Sequence, residues 1–144
     1  RLGELTWRRF AFILWRSLTN RAWRLWRGRD FYQVAGQQTK TLSEELNLKP
    51  GEWVEVKSLA EIQATLDAGG CNRGLSFEPE MALYCGQRYR VASPVERIIL
   101  EKTGEMARLR NTVILDGIAC QGLCSMNCPR ANFLYWRECW LRRV

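Results

Sequence analysis

The sequence predicts a mainly β protein: a small, partly open barrel preceded by an amphipathic helix rich in tryptophan and arginine. Three observations carry that prediction. From residue 48 onward, short β-type runs alternate with glycine turns, and a single brief helical stretch interrupts them. Before residue 30, apolar side chains recur at helical spacing among arginines. With 144 residues, 47% of them hydrophobic, the chain has the size and composition of one folded domain with an appended arm.

The arm comes first. Residues 4–28 read as a helix, because Leu14, Leu18, Ala22 and Trp26 recur every four residues with Trp7, Phe10, Ala11, Trp15 and Leu25 alongside. Residues 1–30 carry eight arginines against Glu4 and Asp30, so +6 of the net charge of +7 belongs to them and only +1 to the rest. Trp7, Trp15, Trp23 and Trp26 on one helix are too many for an idle solvated surface. Its apolar face is expected to pack on the domain, to dock on a protein partner or a second copy, or to lie on an anionic membrane surface. A nucleic-acid arm is disfavoured, since a purely electrostatic tail needs no apolar face. No run approaches the roughly 18 apolar residues of a membrane span, which predicts a cytoplasmic protein, peripheral to a membrane if the arm docks there. The chain opens on Arg1 rather than Met, so its natural N-terminus is expected upstream.

Residues 31–47 are polar and read as a linker, with a short helical turn over 42–48; the domain is placed at 48–144. Pro50 and Gly51 make a turn, and Trp53, Val54 and Val56 give the first strand. Ser58 and Glu61 form a capping box for a helix over 59–67, with Leu59, Ile62 and Leu66 on one face and Gly69-Gly70 as its stop. Residues 77–81 form a proline-containing loop leading to the turn Tyr84-Cys85-Gly86. Three β-type runs follow, at 88–91, at 96–100, and at 107–109 continued by 112–115. A hairpin with Gly104 in the left-handed position separates the second from the third. The aromatic close, 132–144, reads as a strand or a short helix. The opening strand, Gly-Glu-Trp-Val-Glu-Val, is of the kind that begins SH3-like barrels.

Chemistry concentrates in sulfur. Cys120, Cys124 and Cys128 stand at equal four-residue spacing directly after the apolar run 112–119, Cys85 lies in a turn, and the chain has no histidine. Thiols gathered this densely in loops read as metal ligands, disulfides or redox groups. The candidate site is a set of four thiolates, Cys85, Cys120, Cys124 and Cys128. Zinc knuckles favour Cys-x2-Cys pairs; the wider Cys-x3-Cys-x3-Cys spacing and the Cys128-Pro129 step favour a [4Fe–4S] iron–sulfur cluster, with zinc the alternative. Disulfides would require an oxidising compartment, of which the chain gives no sign. Cys71 and Cys139 read as packing thiols. The function expected is a small metalloprotein serving electron transfer or assisting a partner enzyme; the alternative is a zinc-stabilised interaction module that docks through its helix.

Residues 50–56, 77–81, Tyr84-Cys85-Gly86, 88–91, 111–115, Cys120, Cys128 and 135–144 together resemble a family of small cysteine-containing bacterial proteins from biosynthetic gene clusters. The resemblance covers residues 48–144 and not the arm. It implies a cysteine site built from the Cys-Gly turn and the cysteine loop, with an apolar residue usual at the position of Cys139, and it implies no particular reaction. Without histidine no Ser/His/Asp arrangement is possible, and no phosphate-binding glycine loop is present. Glu78, Glu80 and Asp116 are acid–base candidates beside a cluster, weighed against ordinary surface carboxylates. Arg88, Arg90 and Arg97 read as a solvated barrel face.

Overall fold

The computed structural model describes residues 7–27, 34–39, 43–100, 103–120 and 132–144. Five strands form one antiparallel sheet: β1 (Trp53–Val56), β4 (Arg88–Pro94), β7 (Thr112–Ala119), β8 (Phe133–Arg137) and β9 (Leu141–Arg143), in the order β8-β7-β4-β1-β9. The edge strands β8 and β9 are neighbours in the chain, joined by the 3₁₀ turn Glu138–Trp140. A sheet whose two edges are linked by so short a turn must curl, and the result is a half-barrel. Register shifts assist the curl, one in β4 between Val91 and Ser93 and one in β7 between Ile114 and Ala119. Two two-stranded hairpins, β2 (Cys71–Asn72) with β3 (Leu75–Ser76) and β5 (Arg97–Ile99) with β6 (Met106–Arg108), complete the β structure among the described residues. The helices are α1 (Trp7–Arg27) and the short α2 (Leu59–Gln63).

The core lies in the hollow of the sheet. Val54 and Val56 alternate inward from β1, Val91 comes from β4, Val113, Leu115 and Ile118 from β7, and Leu134 and Trp136 from β8. Ile62 and Leu66 close it from the α2 side. Phe77 is the aromatic hinge of this packing, edge-on to Trp136 at 6.4 Å and to Trp140 at 5.3 Å between centroids. Such edge-to-face pairs add about 1 kcal/mol each beyond their buried area. The indole of Trp140 donates to Thr65 Oγ1 at 2.9 Å, which meets its polar end.

The described part of the segment assigned by sequence to the linker (31–47), residues 34–39 and 43–47, binds the domain at both ends. Gly36 N donates to Asp67 O at 2.9 Å and Gln38 N to Leu66 O at 3.0 Å, capping carbonyls just beyond α2. A Cβ at Gly36 would stand only 2.5 Å from Gln63 O and closer still to Leu66 O, so only glycine permits this approach. At the other end the carboxylate of Glu138 accepts from the amides of Leu46 at 2.6 Å, Asn47 at 3.0 Å and Leu48 at 3.0 Å. Leu48 is buried, and Val34 and Leu46 pack on the core. The segment is a strap, and residues 34–39 and 43–48 form no regular helix.

The strand at 53–56 falls where the sequence put it, and the capping box is present: Glu61 N donates to Ser58 Oγ at 3.4 Å and Ser58 N to Glu61 Oε2 at 2.9 Å. The run read as 107–109 continued by 112–115 is two strands in different sheets, β6 ending at Arg108 and β7 starting at Thr112 and running on to Ala119. Gly104 has φ +71 and closes the β5–β6 hairpin, its amide donating to Leu100 O at 2.8 Å. Other boundaries move. The helix predicted over 59–67 ends at Gln63, because Thr65 N and Leu66 N turn to Ile62 O and Gln63 O and tighten the last turn. The loop predicted at 77–81 gives way at Pro79 to a 3₁₀ turn, Pro79–Tyr84, which takes in the start of the predicted Tyr84-Cys85-Gly86 turn. The aromatic close is strand, 3₁₀ turn and strand in succession.

Candidate metal centre

Cys85 follows the 3₁₀ turn Pro79–Tyr84 and stands where that turn hands the chain to β4. Its surroundings are fixed by β1: Gly86 N donates to Val56 O at 2.8 Å, and Val56 N to Gln87 O at 2.9 Å. Cys120 follows β7 directly, and its amide donates to Asn132 O at 2.7 Å, one step beyond the Ala119–Phe133 pair of the β7–β8 ladder. Both thiols are half-buried, and both pack against the hydrophobic core.

The antiparallel β4–β7 register brings these two positions to one end of the sheet. Val91 pairs with Leu115, so the ladder runs from there toward Arg88 on one strand and Ile118 on the other. Cys85 lies just before Arg88 and Cys120 just after Ile118. Cys124 and Cys128 lie outside the described residues, within the segment 121–131 whose two ends are tied by the Cys120–Asn132 hydrogen bond. Among the described residues, no group of three or more His, Cys, Asp or Glu side chains could hold a metal ion.

Burial pushes the Cys85 thiol above its ordinary range, so it is protonated at neutral pH and any metal it binds must displace that proton. The donor set of half-buried thiols without histidine fits a thiophilic centre, iron–sulfur or zinc, and does not fit a hard cation such as calcium or magnesium. The two remaining cysteines differ in setting, and of the two only Cys139 belongs to the core. Cys139 is 4% exposed inside the core. Cys71 is half-buried in β2, its thiol raised by burial first and then by Asp67 and Glu78.

The other candidates separate by exposure. Asp116 is exposed and Glu78 half-buried, whereas Glu80 is buried at 4% exposure, which corrects its reading as a surface carboxylate. Arg88, Arg90 and Arg97 are exposed, as a solvated face requires; Arg88 meets Glu55 at 3.6 Å and Arg90 lies over the Trp53 ring at 6.0 Å. Sequence reading passed over Arg137 and Glu138, a buried pair with hydrogen bonds to distant parts of the chain. Arg137, 6% exposed, donates to the carbonyls of Asn72, Arg73 and Arg110 and to Thr112 Oγ1. Their one sequence signal is position: two charges enclosed by Trp136 before and Cys139-Trp140 after, in a run too apolar to be surface.

No family model, no curated protein and no solved structure matches the chain.

Proposed function

We propose that this protein is a small metalloprotein that holds an iron–sulfur cluster of the [4Fe–4S] type on Cys85, Cys120, Cys124 and Cys128, and that it serves electron transfer or assists a partner enzyme. The observation that supports the reading is the β4–β7 register, which puts Cys85 and Cys120 beyond the same end of that pair, with Cys120 and Asn132, the described residues that flank the Cys124/Cys128 segment, hydrogen-bonded to each other. When bound, such a cluster supplies one-electron transfer at a potential set by burial and by hydrogen bonds to sulfur. The chain contributes four thiolates and the apolar floor beneath Cys85 and Cys120, which shields the site from water on that side. The finer fold assignment, an SH3-like partly open barrel, is part of the same proposal; the five-strand antiparallel order and the 3₁₀ turn linking the edge strands support it.

Protein purified without oxygen is expected to be coloured, with broad visible absorption, and to contain iron and acid-labile sulfide. Cys85→Ser, Cys120→Ser and Cys128→Ser should each lower iron content and thermal stability together, because binding free energy is also folding free energy. Cys71→Ser and Cys139→Ser should keep the iron. A colourless, zinc-containing sample would replace the cluster with a zinc-stabilised interaction module, and equal metal loss at all positions would remove the division between ligands and packing thiols.

A further inference from the structure

We infer that α1 is an interfacial anchor that lies flat on an anionic membrane surface. Residues 7–27 contain six arginines (Arg8, Arg9, Arg16, Arg21, Arg24, Arg27) and no acidic residue. Along the same helix Trp7, Leu14, Leu18 and Leu25 are spaced by seven, four and seven residues, which keeps them within about 20° of one line on a 3.6-residue helix. All four are at least half exposed, Leu25 at 83%, and Trp15 and Trp26, at 60% and 71%, stand together about a quarter turn to one side of the stripe. No helix among the described residues is long and apolar enough to cross a membrane. A long, uniformly cationic helix with an exposed aromatic and aliphatic stripe has the pattern of a helix seated in the headgroup boundary.

Charge and length choose this occupant over the others. A second copy would bring its own +6 arm, and the rest of the chain, at +1, offers no net acidic counterpart. Helix-in-groove docking on a protein typically uses anchors spread over two turns. Here the stripe runs from Trp7 to Leu25, about 27 Å, which suits a plane better than a pocket. A nucleic-acid duplex would take the arginines and leave the stripe in water. An anionic lipid surface satisfies both, the arginines at the phosphates and the indoles at the interface.

The test uses the full chain and vesicles. With phosphatidylglycerol/phosphatidylcholine vesicles at low salt the protein should co-sediment and its tryptophan emission should shift to the blue; with phosphatidylcholine alone it should do neither. Binding should fall steeply as ionic strength rises. Arg8→Gln with Arg21→Gln should weaken it about thirty-fold. Trp7→Ser with Trp15→Ser and Trp26→Ser should weaken it further and abolish the blue shift. In both variants the thermal unfolding of the half-barrel should stay unchanged, so that lost binding is not lost folding. Equal binding to neutral vesicles, no binding to either, or binding indifferent to the tryptophan changes would overturn the assignment. So would solution oligomers that bury these tryptophans, or a DNA duplex bound more tightly than the anionic vesicles.

Discussion

Two adjacent residues, Arg137 and Glu138, tie distant parts of the chain together by complementary means. The Glu138 carboxylate collects three amides of the strap from 90 to 92 residues earlier in the chain, and Arg137 spreads its fork over three carbonyls and a hydroxyl. Both are buried, so unmet bonds here are not replaced by water at no cost. Glu138→Gln keeps the shape but turns one accepting oxygen into a donor that faces amides. We expect a loss of about 2–3 kcal/mol in denaturant unfolding; a change below about 0.5 kcal/mol would show that the strap contributes little. The buried thiols add a pH dependence. Burial raises Cys139 and Cys85, and burial, then Asp67 and Glu78, raises Cys71. In each case the unfolded chain ionises first, so stability is full below the ordinary thiol value of about 8.5 and declines as pH rises above it. Metal-free protein should therefore lose melting temperature above that pH, and Cys139→Ala should flatten the slope while lowering stability overall through the cavity it leaves. An unchanged slope would place the alkaline lability elsewhere.

At the scale of elements, the sequence was legible wherever a local rule decides the outcome. The alternation of Trp53–Val56, the Ser58/Glu61 box, the glycine of the β5–β6 hairpin and the apolar run of β7 each act within a few residues. Cys85 and Cys120 were legible as turn cysteines, but their shared end of the sheet follows from strand register, which no local pattern states. The β2–β3 hairpin was missed for two reasons. Its strands are two residues each, too short for periodicity, and its turn places Arg73 at φ +49 before Gly74 at φ +80, where asparagine would have been the recognisable signal. The strap was missed because its stability comes from bonds to Glu138 and to the Leu66 and Asp67 carbonyls, not from its own composition. Gly36→Ala tests that account. The new methyl must move away from Leu66 O and Gln63 O, so the strap should lift, and exchange at the Gly36-position and Gln38 amides should accelerate while β7 amides stay protected. Uniform acceleration would mean that the strap and the sheet open as one unit.

For the whole molecule, the position of the strap decides where the folding unit begins. A domain starting at residue 48 would omit Val34 and Leu46 from the core and the Leu46 and Asn47 amides from Glu138. A domain starting at residue 31 keeps all of them and discards α1, whose exposed stripe of Trp7, Leu14, Leu18 and Leu25 leaves it little share in the core. Two truncations separate these possibilities. Removing residues 1–30 should leave the melting temperature, and the metal content of anaerobically purified protein, close to those of the full chain, while abolishing the vesicle binding assigned to α1. Removing residues 1–47 should lower the melting temperature well below that, because it exposes part of the apolar core and leaves the Glu138 carboxylate with at most one of its three amides. Equal melting temperatures in the two truncations would return the strap to the status of a linker. Unfolding of the first would make α1 part of the core and remove the ground for treating it as an anchor.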